Sequence, residues 1–128
     1  MARIRDVVFD CRHPASLARF WAAVLDGYQV APYDEAELQR LRGIGVDDPE
    51  DDPSVLVWPG PQGRPRFFFT AVPESKVVKN RVHLDLQSDH LHADVERFVG
   101  LGATVLTEHA DGHVVLADPE GNEFCVMA

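Results

Sequence analysis

The sequence predicts an α+β fold built from two copies of a strand–helix–three-strand unit. Superposing the chain on itself at an offset of 75 residues needs no gap across the first strand and helix of each half, and it matches Asp10 with Asp85 and Gly27 with Gly102. Polar and apolar residues alternate in the predicted strands, whereas apolar residues recur every three or four positions in the predicted helices. Neither half can bury its sheet and helix faces alone, so we expect the two halves to pair.

Length, charge and cysteine content exclude several classes of protein. The 128 residues predict one domain, with a first module at about 1–73 and a second at about 77–128. Twelve basic against twenty-one acidic residues give a net charge of -9, which argues against nucleic acid or an anionic membrane as a partner. The two cysteines make no disulfide framework, and no apolar run has the length of a signal peptide or a membrane span. We therefore expect a cytoplasmic protein.

The first half begins with a β-prone run at residues 7–11. Val8 and Asp10 of this run share one face with Asp6, which lies just before it. The helix that follows starts near Pro14 and has an apolar stripe made of Leu17, Phe20, Trp21, Val24 and Leu25. Gly27 is its expected stop. A short helix at 35–42 and strands at 28–31, 55–58 and 66–72 complete this half, and the acidic run at 47–52 is expected to be a solvated loop.

The second half is organised around residues 80–86, whose polar and apolar residues alternate. As a strand, this stretch places Val82, Leu84 and Leu86 on one face and Arg81, His83 and Asp85 on the other. A strand with an apolar face and a polar face of this kind is typical of a pocket wall. The next helix is expected to have Ser88 or Asp89 as N-cap, Leu91, Val95, Phe98 and Val99 inward, and Gly102 as stop, before strands at 104–107, 113–117 and 123–127.

Three sequence features together resemble one known superfamily. They are the strand 6–11 followed by the Phe20-Trp21 helix, the stretch 79–86, and the turn and strand at 118–124. In this combination the chain resembles the vicinal oxygen chelate superfamily and, within it, the glyoxalase-like domain branch. The resemblance implies two βαβββ modules that form a curled mixed sheet, the glyoxalase/dioxygenase-like cup, which in some members is completed across a homodimer. The insertion at about 34–53 falls outside the shared pattern.

The resemblance also implies where a divalent metal would lie. Catalytic members hold one ion with four side chains, and three of those positions fall on Asp6, His83 and Cys125. The fourth falls near Thr70, which is not a normal metal ligand. Glu123 lies on the same face as Cys125 and is the alternative carboxylate. The implied cofactor is therefore one divalent ion such as zinc, iron, manganese or nickel, held by an incomplete ligand set.

Two functions are compatible with these residues. In the first, a lyase- or isomerase-type enzyme holds a small oxygenated molecule in the cup and transfers protons with His83 and a carboxylate, Asp6 or Glu123. In the second, a metal-free protein of the bleomycin-resistance type sequesters a small aromatic or drug-like molecule. The candidate substrate-binding residues are Trp58, Phe68, Thr70, Arg81 and Asp85, and the sequestering protein would hold its ligand against rings such as Trp58, Phe68 and Trp21. The basic cluster at 79–81 is the expected position of a negative group on the substrate.

Several of these residues also have an ordinary structural interpretation. His83 is equally consistent with a polar residue that hydrogen-bonds Asp85 or Arg81. A free cysteine such as Cys125 is more often a small buried apolar residue than a nucleophile. A cup filled by its own side chains is the third possibility for the whole domain.

Overall fold

A computed structural model describes residues 1–128 and divides the chain into two compact units, Met1–Ser75 and Lys76–Ala128. Each unit contains one open four-stranded mixed sheet, and the strand order is the same in both. The predicted α+β class and the two similar modules are therefore confirmed. No helix has the length and apolar character needed to cross a membrane.

Unit 1 contains β1 (Asp6–Cys11), α1 (Pro14–Val24), β2 (Gln29–Val30), α2 (Glu35–Gly43), a 3-10 helix (Pro49–Asp51), β3 (Ser54–Trp58) and β4 (Arg66–Ala71). The sheet order is β1-β4-β3-β2. β1 is parallel to β4 with Asp6 opposite Arg66, and the other neighbouring strands are antiparallel. Because β1 and β4 are 60 residues apart in sequence, this pairing brings together side chains from both ends of the unit.

The core of unit 1 lies between α1 and one face of the sheet. Pro14 occupies the first turn of α1, and the predicted apolar stripe is buried at Leu17, Phe20, Trp21 and Val24. Alternate residues of β3 and β4 face this helix and are buried as well, namely Val55, Val57, Phe67 and Phe69. Each such side chain contributes roughly 1.5–3 kcal/mol on leaving water. The opposite face of the sheet is not covered by α1.

Unit 2 contains β5 (Leu84–Gln87), α3 (Leu91–Gly100), β6 (Thr104–Glu108), β7 (Val114–Ala117) and β8 (Glu123–Met127), in the sheet order β5-β8-β7-β6. β5 is parallel to β8, as β1 is to β4. Gly27 and Gly102, the predicted helix stops, follow α1 and α3 with φ of 74° and 118°. Residues with a Cβ rarely adopt such angles, which explains glycine at both positions.

The strand predicted at 80–86 begins later than expected, at Leu84. Its partner β8 begins at Glu123, and Leu84 pairs with Phe124, so residues 80–83 lie where the partner strand has ended. The N–H of Asn80 instead donates to Glu123 Oε2 at 3.0 Å. Val82 is 80% exposed, so its predicted place on the apolar face is wrong.

The start and packing of α3 also differ from expectation. Its N-cap is His90 and makes no side-chain cap. Ser88 lies two residues earlier and is buried; its Oγ accepts the N–H of His90 at 3.0 Å and donates to Asp94 at 2.6 Å. Val99 was expected inward but is 46% exposed, so Phe98 is left as the buried residue of this helix.

The acidic run was predicted to be solvated throughout, and this is wrong at its last residue. Asp52 is only 2% exposed. Its carboxylate accepts the Tyr33 hydroxyl at 2.7 Å and the Ser54 N–H at 2.9 Å. These hydrogen bonds compensate for the loss of water around the charge, which composition alone does not reveal.

Candidate functional site

The sheet face of unit 1 that points away from α1 carries four of the predicted site residues. In β3 and β4 the residues that alternate with the buried core are half-buried on this face, and they include Trp58, Phe68 and Thr70. Asp6 joins them because it is the register partner of Arg66. A cavity of about 490 Å³ lies over this face, and its wall includes Tyr33, Arg40, Leu56, Trp58, Arg66 and Phe68. We call it the unit 1 pocket.

Aromatic rings form much of the wall of the unit 1 pocket. The Arg66 guanidinium lies over the Phe68 ring, with Cζ 5.3 Å from the ring centroid. Trp58 Nε1 is buried and has no hydrogen-bond partner. A buried donor without an acceptor costs on the order of 1–3 kcal/mol of stability.

Asp6 forms an ion pair with Arg66 rather than pointing a free carboxylate into the pocket. Arg66 donates to both carboxylate oxygens, at 2.6 and 3.0 Å, and Arg5 lies 3.4 Å away. The hydrogen bonds from Arg66 outweigh burial and hold the pKa of Asp6 below its usual value. Asp6 is therefore an ionised structural partner at neutral pH and a weak proton acceptor.

A second charge cluster closes another side of the unit 1 pocket. Asp52 accepts from Tyr33, and Arg40 lies 3.4 Å from Asp52 and 2.9 Å from Glu37. Burial, together with the hydrogen bond to Asp52, raises the pKa of Tyr33. Tyr33 is thus a fixed neutral donor. Thr70 lies at the end of the same face, and its hydroxyl is 3.5 Å from that of Ser54.

Unit 2 has its own cavity, of about 410 Å³, which we call the unit 2 pocket. His83, Asp85, His113 and Cys125 line it, among others. His83 Nε2 lies 3.1 Å from Asp85 Oδ1, and Asp85 is the register partner of Cys125 on the parallel strand β8. The register of β5 thus places Asp85 beside the thiol of Cys125. His83, the residue just before β5, contacts the Asp85 carboxylate.

The donor atoms in unit 2 fit the divalent metal that the family resemblance implies. One ligand atom each from His83, Asp85 and Cys125 lie within 4.8 Å of one another. Imidazole nitrogen, carboxylate oxygen and thiolate sulfur are the atoms that zinc takes in three-ligand sites. The predicted ligand Asp6 is not in this set, because it lies in unit 1 and is hydrogen-bonded by Arg66. Asp85 supplies the carboxylate in its place.

The remaining predicted residues in unit 2 are held by charge pairs or are exposed. Glu123 accepts from Lys76 at 2.7 Å and from Asn80 N–H at 3.0 Å. Burial opposes ionisation of Glu123, but these hydrogen bonds outweigh it and lower its pKa to about 2. Lys79 lies 3.9 Å from the same carboxylate, so Glu123 partly neutralises the basic cluster, while Arg81 is exposed. Burial first, and then Asp85, raise the pKa of the Cys125 thiol.

Sequence reasoning missed several residues that line the two pockets. In unit 1 these are Tyr33, Arg40 and Asp52. In unit 2 it is His113, which lines the pocket, lies 2.5 Å from Asp111 and stacks on His109. The Asp-Gly turn before His113 was the available signal, because an aspartate at a turn hydrogen-bonds the residues that follow it.

Comparison with known proteins gives one family and several structures of the same fold. The family model of the glyoxalase-like domain matches residues 6–127. No curated protein matches the chain. A glyoxalase/bleomycin resistance protein/dioxygenase family enzyme from Burkholderia phytofirmans is similar in fold, with a TM-score of 0.64 at 19% identity over 98% of this chain and 97% of that one.

Two further solved structures share the fold at low identity. The fosfomycin resistance protein FosX from Mesorhizobium loti has a TM-score of 0.68 at 12% identity, over 98% of this chain and 90% of that one. The trypanothione-dependent glyoxalase I of Leishmania major has a TM-score of 0.62 at 15% identity, over 99% and 86%. The resemblance to the vicinal oxygen chelate superfamily is confirmed. Since the family model covers almost the whole sequence, the chain belongs to the glyoxalase-like domain family.

Proposed function

We propose that this protein binds a small molecule with an apolar body in the unit 1 pocket. The observation that carries the proposal is the cavity of about 490 Å³ walled by Leu56, Trp58 and Phe68. Small-molecule sites are commonly concave, apolar and of about 300–1,000 Å³, with a few fixed polar groups. The solved neighbours named for fosfomycin resistance and for trypanothione-dependent glyoxalase activity support small-molecule binding at the level of the fold.

The pocket is built to hold a ligand without changing shape. Its polar groups are fixed by hydrogen bonds, such as those of Tyr33 and Arg40 with Asp52. Its apolar groups belong to strands whose other face is packed under α1. Preorganisation of this kind reduces the ordering entropy that binding would otherwise cost. Binding alone, as in sequestration of a drug-like molecule, needs no further group.

The test uses N-phenyl-1-naphthylamine, an uncharged dye whose emission rises in apolar surroundings. We expect saturable binding of one dye per chain. Leu56→Trp fills the pocket and should weaken binding roughly tenfold or more, because the added ring occupies the ligand volume. Leu106→Trp makes the same change at an exposed position of unit 2 and should leave binding unchanged. Absence of saturable binding, or full binding by Leu56→Trp, would contradict the proposal.

A second candidate function is proton transfer by His83 in the unit 2 pocket, and the His83–Asp85 contact of 3.1 Å favours it. A carboxylate at one ring nitrogen fixes the tautomer and orientation of an imidazole, so the other nitrogen, Nδ1, is the one left to exchange a proton. A zinc-type ion held by His83, Asp85 and Cys125 would instead polarise a substrate oxygen, and His83 would then be a ligand and not the proton carrier. An enzyme of the lyase or isomerase type would use the unit 2 pocket in this way.

Elemental analysis of protein purified without chelators tests the metal-dependent form of this second candidate. That form predicts about one divalent ion per chain in the native protein and loss of that ion in His83→Ala. The control is His92→Ala, which removes a histidine from the exposed surface of α3 and should retain the ion. Native protein free of metal, or His83→Ala with the ion still bound, would rule out a metalloenzyme with His83 as ligand.

A further inference from the structure

We infer that the ligand of the unit 1 pocket is an uncharged molecule with a planar ring system, and that the pocket discriminates against anions. This inference rests on the proposed function and specifies the class of ligand. It contrasts with the expectation from sequence that a negative group on the substrate is recognised. It follows from the state of the three arginines that line the pocket, Arg5, Arg40 and Arg66.

Two of these arginines are already paired with carboxylates, and Arg66 is the more tightly held. Arg66 uses two nitrogens on the two oxygens of Asp6, at 2.6 and 3.0 Å, in the bidentate geometry that an incoming carboxylate would need. Arg5 lies 3.4 Å from the same carboxylate, and its side chain is largely exposed. Asp6 therefore takes up the two donors that Arg66 would otherwise offer to an anionic ligand.

Arg40 is held in the same way on the other side of the pocket. Its guanidinium lies between Glu37, at 2.9 Å, and the buried carboxylate of Asp52, at 3.4 Å. The three arginines in the wall are matched there by three carboxylates, namely Asp34, Glu37 and Asp52, and Asp6 behind Arg66 is a fourth. The wall has no excess of positive charge.

A charged ligand would have to disrupt these pairs. An anion that reaches Arg66 must displace Asp6, whose side chain is largely shielded from water, and the displaced carboxylate would then lack a partner. A cation would approach carboxylates whose oxygens already accept hydrogen bonds, with guanidinium groups beside them. An uncharged ligand avoids both penalties.

The groups left available in the wall describe the ligand further. The faces of Trp58 and Phe68 favour a flat ring system. The Nε1 donor of Trp58 is shielded from solvent and is therefore not offered to a ligand. Uncharged aromatic compounds, such as aromatic amides and ketones, fit this wall.

Calorimetry with a matched pair of probes tests the inference. The probes are 1-naphthylacetamide and 1-naphthylacetate, which share ring and arm and differ in the uncharged amide against the carboxylate. We expect the amide to bind roughly tenfold or more tightly than the acid. Equal or tighter binding of the acid overturns the inference and leaves the proposed function intact. If neither binds while N-phenyl-1-naphthylamine still does, the inference alone fails; if none of the three binds, both fail.

The variant Asp6→Asn tests the reason for the selectivity. It removes the charge that occupies Arg66, so the ratio of amide to acid affinity should fall by roughly tenfold, with circular dichroism used to check the fold. Asp10→Asn is the matched control, because Asp10 lies on the same face of β1 and is exposed, and its ratio should stay as in the native protein. An unchanged ratio in Asp6→Asn would overturn the inference.

Discussion

The two units have the same strand order but very different cores. In unit 1, seven of the eleven residues of α1 are buried, whereas in unit 2 Phe98 is the buried residue of α3. Every residue of β6 is exposed. One topology therefore tolerates both a dense helix–sheet interface and a sparse one. The two units therefore share their strand pairing and the glycines that follow their helices, but not the number of buried residues in the core.

The two pockets differ in a parallel way. In the unit 1 pocket, the charged groups are engaged with one another beside aromatic rings, as in the pairs of Arg66 with Asp6 and Arg40 with Asp52. In the unit 2 pocket, His83 and Asp85 are exposed beside the Cys125 thiol. Fixed, paired charges suit recognition of shape, whereas an accessible imidazole and carboxylate beside a thiol suit proton exchange or metal binding.

The largest expected change in the free energy of unfolding comes from removing a buried carboxylate, in contrast to an exposed one. Asp52→Ala leaves Tyr33, Arg40 and the Ser54 N–H without their acceptor, and should lower the free energy of unfolding by about 3 kcal/mol. Asp85→Ala in unit 2 should change it by under about 0.5 kcal/mol, because Asp85 is exposed. Urea denaturation measures both. Equal losses in the two variants would show that the pockets do not differ as described.

Two valines that match at the 75-residue offset test the difference in core density. Val24 is 6% exposed, whereas Val99 is 46% exposed. Val24→Ala should therefore destabilise the protein by about 2 kcal/mol, and Val99→Ala by under about 0.5 kcal/mol. Urea denaturation measures the free energy of unfolding of both variants. A large loss in Val99→Ala would mean that α3 contributes a buried interface after all.

Acid should weaken unit 2 through Glu123. Its pKa is about 2 in the folded protein, against a usual value of 4.5, so its contribution is complete above about pH 4.5 and is lost as the pH falls toward 2. Since unfolding raises the pKa, Glu123→Gln should remove on the order of 2 kcal/mol of stability at pH 7 and flatten the dependence on pH below 4.5.

Glu108→Gln is the control for this change, because Glu108 lies in the exposed strand β6 of the same unit. Its stability curve between pH 7 and pH 2 should follow that of the native protein. A Glu123→Gln curve parallel to the native one would contradict the assignment of the low pKa to Glu123.

The smallest expected effect concerns the reactivity of Cys125. Burial and the nearby Asp85 raise the pKa of this thiol, so alkylation by iodoacetamide at pH 8 should be slower than that of an exposed cysteine. Asp85→Asn should speed it by about two- to threefold, because the thiolate then forms more easily. Mass spectrometry separates Cys125 from the buried Cys11, which should react more slowly still. An unchanged alkylation rate in Asp85→Asn would show that Asp85 does not raise the pKa of the Cys125 thiol.

Local patterns were sufficient to predict most of the fold and the faces of the strands. Helical spacing placed Leu17, Phe20, Trp21 and Val24 in the buried stripe of α1, because helix periodicity is a property of neighbouring residues. The glycine stops were predictable because only a residue without Cβ readily adopts the required φ.

What the sequence could not predict depends on distant pairings. The contact of Asp6 with Arg66 requires the parallel register of β1 and β4, which no local pattern encodes. Asp52 was hidden within an acidic run whose composition is typical of a solvated loop. The late start of β5 at Leu84 reflects where its partner β8 begins. In each case a long-range contact overrode the local signal.

The division of roles between the two units is tested most directly by a nitrogen-15 spectrum of the indole N–H groups, recorded with increasing 1-naphthylacetamide. The chain contains two tryptophans, and Trp58→Phe assigns their signals. Trp58 lines the unit 1 pocket and its signal should move, whereas the signal of Trp21, a buried residue of α1, should stay in place. A titration that shifts residues of unit 2 and leaves the Trp58 signal unmoved would contradict the account.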